Sequence, residues 1–508
     1  MIDATIQALL EKATDVSGDS RLLIPGAVFV AMAGERRHGL VGLEEAIERG
    51  ASAIIHDGQA EPSELARLKH LTIPVVECRT LKEDLPSWLS FFFENPLDDL
   101  TLHAVTGTNG KSSIAWLLAQ ALDGAMIGTL GTGIPGQHHK AELTTPSIFS
   151  IYRHLAECRH QGIGHVVIEA SSHALVQGRL DGLSFETTVF TNLGHDHLDY
   201  HGDRASYGEA KKRLFVDYDS RYQLINIDDA FGAELMEALL AKATTTGTQV
   251  IGYGLGSREQ ACAWAEVVKP IHPRPQTEGA EETQMDLEVA LHLMDGPVVH
   301  VHSGLIGEVN AYNLLVCAQV MQHLGFDADE MADRLARLSP PPGRMERMIV
   351  PADGVDRPLV VVDYAHSPDA LRDALLMLRQ VCAGQLWCVF GCGGDRDASK
   401  RAPMGRVAES MADRVVLTDD NPRHESSLAI IRGIQSGMRH PERARVMIDR
   451  AEAIAHAVAQ AQPNDVVLLA GKGHEVEQIV GDRRIELDDR ALAKQALMAW
   501  APNHQEAC

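Results

Sequence analysis

The stretch VTGTNGKSS, Val105 to Ser113, decides how the rest of this chain is read. It ends as a phosphate-binding loop ends, with Gly110, Lys111 and the hydroxyl of Ser112. The P-loop pattern asks for another glycine five residues before Gly110, and Val105 stands there. The flanks supply the context such a loop needs: LHAVTG reads as a strand, and SSIAWLLAQAL places Ile114, Leu117, Leu118 and Leu122 at helical spacing. Backbone N–H groups of Gly107, Thr108, Asn109 and Gly110 then wrap a polyphosphate at the positive end of the helix, with Lys111 against phosphate charge and Ser112 on magnesium. From these residues alone an ordinary glycine turn stays open.

Composition narrows the classes. The chain has 508 residues, enough for about three domains. Its 70 acidic and 46 basic side chains leave a net charge of −24, which excludes a basic surface for nucleic acid or anionic membrane. The start, MIDATIQALLEKATD, has no basic segment followed by an apolar run, and no stretch of about 18 apolar residues occurs elsewhere. A soluble cytoplasmic protein is expected. The eight cysteines form no CxxC pair, and Cys388 and Cys392 bracket an apolar strand end, so reduced core thiols are expected.

Outward from the loop, the chain is α/β throughout. Residues 1–97 alternate apolar runs (AVFVAMAG, ASAIIHD, PVVEC) with a helical GLEEAIERG, and a loose ENPLDD follows. Residues 98–338 hold the loop and the strands HVVIE, TTVFT and QLINID. Gln276 to Thr283 reads as a polar surface loop, MDLEVALHLMDGPVVHVH as a hairpin about Asp295-Gly296, and two helical patterns close the unit. SPPPGR, Ser339 to Arg344, interrupts them, because successive prolines cannot continue a helix. Residues 339–508 repeat one device: LVVVDYAHSPDAL, LWCVFGCGGDRD, RVVLTDDNPRHE and VVLLAGKGHE each run from a strand into Gly, Asp, His or Arg. Ligands collect at the carboxyl ends of strands in open α/β sheets, so four such ends point to one crevice.

Two further stretches carry chemistry. Glu169 ends an apolar strand, where a carboxylate is costly unless a cation or strong donors face it. A magnesium ligand and a buried, hydrogen-bonded Glu both fit. NLGHDHLDYHG places His195, Asp196, His197, Asp199 and His201 beyond another strand. They read as turn caps or metal ligands, with zinc disfavoured by the lack of an accompanying cysteine.

GTNGKSS, TTPS, EASSHALVQGRL, TNLGHDHLDYHG and YGEAKKRLF together resemble the ATP-binding domain of the Mur ligase family. With GDSR, GRMER, DYAHSPDAL, GCGGDRD, TDDNPR and AGKGHE, the resemblance extends over nearly the whole chain, and DNPR resembles the form that adds meso-diaminopimelate. In this family the loop is GTNGK[ST], so Val105 is no defect. The resemblance implies a three-domain α/β enzyme: a UDP-sugar-binding domain (1–97), a P-loop-type ATPase domain (98–338) and a Rossmann-like amino-acid-binding domain (339–508). The implied reaction is ATP-dependent phosphorylation of the D-glutamate carboxylate of UDP-MurNAc-L-Ala-D-Glu, followed by attack of a diaminopimelate amine, in cell-wall precursor synthesis.

The resemblance also implies roles. Gly107, Thr108, Asn109, Gly110, Lys111, Ser112, Ser113, Asn310, Arg344 and Asp363 match nucleotide-binding positions, and Arg344, past the SPPP hinge, would report domain closure. Ser112 with Glu169, and His197 with Lys211 as a carbamate (N6-carboxylysine), match magnesium ligands; Lys111, Glu169, His197 and Lys211 form the catalytic set. Ser20, Thr144, Thr145, Ser171, Gln177 and Arg179 match positions that hold the UDP-sugar dipeptide. Arg396, Asp420, Asn421, Pro422, Arg423, Gly471 and Glu475 match those that hold diaminopimelate. Leu143 and His38 depart from the residues usual in the family, and Ser112 replaces the commoner Thr. A monomer is expected, with no nucleic acid and no membrane insertion. The competing functions are a folylpolyglutamate synthase-like ligase, which leaves GDSR and DNPR unexplained, and an inactive ATP-regulated binding protein, against which Lys111, Glu169, His197 and Lys211 speak.

Overall fold

The computed structural model describes residues 2–34, 37–139, 143–194, 196–243, 247–256, 261–269, 287–351 and 355–501. His195 and the Gln276–Thr283 loop lie outside them. The chain divides into two compact units, Met1–Gly252 and Tyr253–Cys508.

The first unit opens with a small parallel sheet, β1 (Val16–Ser17), β2 (Val28–Ala31), β3 (Ala53–His56) and β4 (Val75–Glu77), paired in that order. β2 and β3 are buried along their whole length, as strands covered on both faces are. The larger sheet of this unit uses β5 (Thr101–Thr106), β6 (Ala125–Gly128), β7 (Gly131–Ile134), β8 (Gln137–His139), β9 (His165–Glu169), β10 (Phe185–Phe190) and β11 (Ser220–Asn226), in the order β8-β7-β6-β9-β5-β10-β11. β6, β9, β5, β10 and β11 run parallel. The carboxyl ends of β5, β9 and β10 therefore face one edge, where the loop, Glu169 and the TNLG segment emerge.

The two sheets share one core: Val16, Val28, Val30 and Ile55 join a cluster with Leu85, Trp88, Phe149, Tyr152 and Leu155. Arg153 Nη2 donates to both Asp15 carboxylate oxygens at 2.7 and 2.8 Å, beside this contact. Asp15, three residues before GDSR, is thereby tied to the helix Ile148–His160 that follows TTPS. Two capped helices position the site. Ser147 caps Ile148–His160 through Ser150 N, and Asp203 caps Arg204–Val216, the helix of Lys211, through Ser206 N.

The division between the units falls within β12 (Gln249–Leu255). In the second unit, Tyr253–Leu255 pairs parallel with β13 (Ala263–Lys269), which pairs antiparallel with β14 (Leu287–His292), and β14 with β15 (Val298–Ser303). The last two form the expected hairpin, with Asp295 at φ +52° in its turn. After the helices Val309–His323 and Ala328–Ala336 come β16 (Glu346–Arg347), β17 (Leu359–Asp363), β18 (Leu386–Phe390), β19 (Arg414–Leu417), β20 (Arg445–Val446) and β21 (Val466–Ala470), in the order β16-β17-β21-β18-β19-β20. β17, β21, β18 and β19 are adjacent and parallel. Their ends carry DYAH, AGKGHE, GCGG and TDDNPR, so the four predicted ligand-bearing ends do share one edge. The seven described cysteines are free, and Cys158, Cys317, Cys388 and Cys392 are buried.

His103, inside β5, is fully enclosed, and neither ring nitrogen has a hydrogen-bond partner among the described residues. It stacks on His165 with centroids 5.8 Å apart, and burial pushes its pKa down to about 3. Unfolded, a histidine titrates near pH 6.5, so below that the unfolded chain takes up a proton that the fold refuses. Stability is complete above this value and falls with pH toward 3 by about 1.4 kcal/mol per unit. His103→Leu is expected to flatten the fall in Tm between about pH 6.5 and 4.5, measured by thermal scans; an unchanged slope would assign the acid lability elsewhere.

Candidate active site

The quoted loop joins β5 to the helix Lys111–Ala121. Gly107 has φ +148°, and a Cβ there would collide with Thr191, so the β5 and β10 ends approach only because the side chain is absent. Cross-loop bonds fix the shape: Asn109 N donates to Asn192 Oδ1 (2.9 Å), Thr191 Oγ1 to Asn109 O (2.6 Å), and Gly194 N to Thr108 Oγ1 (2.8 Å).

Two lysines meet at this loop. Lys111 Nζ donates to the carbonyls of Gly107 and Thr108, both at 2.8 Å. Lys211 Nζ, from the helix Arg204–Val216, donates to Gly107 O at 2.7 Å and lies 4.3 Å from the Tyr207 ring centre. Lys211 is 1% exposed, and burial, then the charge of Lys111, holds its pKa well below the usual lysine value, against a smaller opposing pull from Asp196. The neutral amine is the form that adds CO2, giving a carbamate anion and releasing a proton.

At the end of β9, Glu169 is fully buried and accepts from Ser112 Oγ (2.9 Å), Thr129 N (2.9 Å) and Thr129 Oγ1 (3.3 Å). These are hard oxygen groups of the kind magnesium takes, so Ser112 and Glu169 fit one such ion. His197, at φ +52° and about half exposed, lies 3.5 Å from Asp196 through Nε2 and stands 6.2 Å from the Tyr207 ring. His197 and Lys211 thus flank the same tyrosine. Among the described residues no group of three or more His, Cys, Asp or Glu is arranged to hold a metal. A hydroxyl and a modified lysine are the donors that would complete the set.

The residues expected to hold the sugar-peptide split in two. Thr145 Oγ1 donates to Glu169 O (2.5 Å) and lies 3.0 Å from Ser171 Oγ, while Arg179 donates to Thr145 O (2.6 Å) and, through Nε, to Gln177 Oε1 (2.8 Å). Thr144 Oγ1 stands 3.0 Å from Thr129 Oγ1. These five form one cluster beside Glu169. Ser20 stands in the N-terminal sheet region, its hydroxyl on Glu45 Oε2 at 2.8 Å. His38 is tied to Asp57 (2.7 Å) and Leu40 N (3.1 Å), a local brace, whereas Leu143 is exposed.

In the second unit, Asn310 opens the helix Val309–His323 and is held by Ile306 O and Asn313 Nδ2. Asp363, at the end of β17, accepts from Met345 N and Ala365 N, both at 2.8 Å. Burial raises its pKa, with smaller lowering by those two bonds and by Arg344. The Arg344 guanidinium stands 5.4 Å from the Tyr364 ring, and its Nε is buried without a partner among the described residues.

The residues expected to hold diaminopimelate lie at the ends of β18, β19 and β21. Asn421 Nδ2 donates to Glu475 Oε2 at 2.9 Å. Arg423, at φ +50°, spends Nη1 on Gly394 O (2.9 Å), while its Nε and Nη2 have no partner among the described residues. Gly471, at φ +114°, lies so close to Asp420 that a Cβ would stand 2.7 Å from Oδ2. Pro422 is buried and Arg396 exposed. Sequence reading missed Thr129, Asn192, Tyr207 and Lys472, all structurally engaged here. Asn192, Tyr207 and Lys472 lie inside quoted motifs, which was the available signal, while Thr129 had none.

Residues 105–321 match the family model described as the Mur ligase middle domain, and residues 343–473 that of the Mur ligase glutamate ligase domain. A relative from Alkalilimnicola ehrlichii, named UDP-N-acetylmuramoyl-L-alanyl-D-glutamate--2,6-diaminopimelate ligase, is 43% identical over 94% of this chain and 93% of its own length. One of the same name from Chromobacterium violaceum is 42% identical over 96% and 94%. A solved structure under that name is 32% identical, with TM-score 0.67, covering 96% of this chain and 95% of its own. Mycobacterium tuberculosis folylpolyglutamate synthase shares the fold alone, at 19% identity and TM-score 0.56, over 82% of this chain and 95% of its own.

A carbamate on Lys211 predicts that Lys211→Ala loses turnover by about 10²-fold or more while keeping its fold. With 13C-labelled bicarbonate, wild type would show a carbamate carbon resonance that the variant lacks. Full activity of the alanine variant would refute the role.

Proposed function

Because the chain belongs to the Mur ligase family, we propose that its residues activate a carboxylate with ATP and deliver it to an amine. The enzyme joins meso-2,6-diaminopimelate to the D-glutamate of UDP-N-acetylmuramoyl-L-alanyl-D-glutamate, an ADP-forming ligation in peptidoglycan precursor synthesis. A carboxylate oxygen attacks the γ-phosphorus of ATP, the bond to the β-bridging oxygen breaks, and ADP leaves. The amine nitrogen of diaminopimelate then attacks the acyl carbon, the carbon–oxygen bond to phosphate breaks, and the nitrogen loses a proton.

Bringing two anions together is the main obstacle, so cations dominate the chemistry. Lys111 and the loop N–H groups hold the phosphates, and Asn310, Arg344 and Asp363 serve the nucleotide. Thr144, Thr145, Ser171, Gln177 and Arg179 hold the peptide, and Ser20 the nucleotide end. Magnesium ions, when bound, would neutralise phosphate oxygens; Ser112 and Glu169 are the proposed ligands of one, and His197 and carbamylated Lys211 of the other. A cytoplasmic location belongs to the same proposal, on the grounds that ATP and a nucleotide-linked sugar are its substrates. Among the described residues no helix is long and apolar enough to cross a membrane.

The observation that carries the reading is the mixed-charge cluster at the ends of the parallel strands β19 and β21, on either side of β18: Asp420, Asn421, Arg423 and Glu475. Diaminopimelate ends in both a carboxylate and an ammonium, and such a cluster offers partners for each. The open edge of Arg423 suits a carboxylate through two parallel hydrogen bonds. Lysine lacks that carboxylate and would bring its ammonium toward an unpaired guanidinium, a penalty of about 10³-fold. Comparison of kcat/KM for meso-diaminopimelate and L-lysine is expected to show strong preference in wild type and a large loss of preference in Arg423→Ala. Equal use of both by wild type would overturn the assignment.

A further inference from the structure

Lys472 lies inside AGKGHE, one residue beyond Gly471, and its side chain is completely buried. A buried ammonium must be paired, and this one uses its three protons on three acceptors: Glu477 O at 2.6 Å, Glu475 Oε2 at 3.1 Å and Asn421 Oδ1 at 3.2 Å. Two of the three partners are the residues assigned above to the incoming amino acid.

The consequence is an orientation fixed atom by atom. Asn421 Oδ1 accepts from Lys472 Nζ and also from Ile479 N at 2.9 Å, so its amide cannot turn over. Nδ2 is thereby directed to Glu475 Oε2, which accepts from both Asn421 and Lys472. One carboxylate oxygen of Glu475 is used inside the protein. The other, Oε1, has no hydrogen-bond partner among the described residues, on a side chain that is 35% exposed.

We infer that Lys472 is the positioning residue that sets specificity for the second ammonium of the diamino acid. By holding Glu475 Oε2 and the Asn421 amide, it presents Glu475 Oε1 at the strand ends as an acceptor for a cationic nitrogen. Lys472 does not touch the substrate. Without it, Glu475 retains its charge but loses the bond that holds its rotamer, and Asn421 is free to flip. This inference rests on the assignment of Asn421 and Glu475 to the amino-acid substrate.

The test compares meso-diaminopimelate with L-2-aminopimelate, which keeps the reacting amine and the far carboxylate but has no second ammonium. Both are assayed with wild type, Lys472→Met, of similar length and shape, and Lys472→Gln, which keeps two donors without the charge. In Lys472→Met the KM for diaminopimelate is expected to rise about tenfold or more. Its kcat should change by less than about threefold, and the KM for ATP should hold. Preference over L-2-aminopimelate should fall by about tenfold in parallel, with Lys472→Gln intermediate. A folded Lys472→Met variant with wild-type KM and preference would overturn the inference while leaving the ligase reading intact. Failure of both variants to fold would also overturn it, in favour of a purely structural lysine. A wild type unable to use diaminopimelate would remove the ligase reading and this inference with it.

Discussion

Two lysine side chains converge on one backbone carbonyl. Lys111 and Lys211, 100 positions apart in the chain, both donate to Gly107 O, at 2.8 and 2.7 Å. Like charges crowded in a dry site repel, and the response is visible in Lys211, whose proton affinity is depressed first by burial and then by Lys111. Such a site is completed by anions, whether phosphate oxygens or a carbamate. Much else in the first unit serves this point: a Gly107 without a side chain, the Thr191 and Asn192 bonds to Asn109, and the capped helix that carries Lys211 inward.

The second unit solves a related problem with buried cations of its own. Arg450 and Asp489 form a fully buried pair at 2.6 and 2.8 Å, and the remaining arginine donors reach Asp419 O and Ala470 O. Those carbonyls immediately precede Asp420 and Gly471. The ends of β19 and β21 are thus tied together directly beneath the amino-acid cluster. Arg401 does the same for the neighbouring loops, donating to Gly393 O and Glu425 Oε1, while Glu425 accepts from Asp395 N. The residues proposed to face the amino acid sit on loops, and their geometry is held by charges turned inward.

The α/β class, the loop with its helix, the Asp295 hairpin and the four ligand-bearing strand ends were all legible, because each is written in contiguous residues. Periodicity and turn chemistry are local signals. Lys211 was not legible on its own: in YGEAKKRLF it resembles any exposed helical lysine, and its burial follows from packing against Gly107, 104 positions away. Only the resemblance to a family marked it. Lys472 and Thr129, in loops, and Arg450, at the start of the helix Arg450–Gln460, were missed for the same reason, since a charged or polar residue reads as solvated until tertiary structure encloses it. His38 shows the converse, since its departure from the usual residue is absorbed by a local bond to Asp57.

The central claim is that this chain turns a carboxylate into a phosphoryl-activated acyl group before the amine attacks. The direct measurement uses UDP-N-acetylmuramoyl-L-alanyl-D-glutamate with 18O in both oxygens of the free side-chain carboxylate, ATP and diaminopimelate, with mass analysis of the released phosphate. Activation through an acyl phosphate leaves one 18O in each phosphate and one in each new amide carbonyl. Phosphate free of label, with amide still formed, would contradict the account.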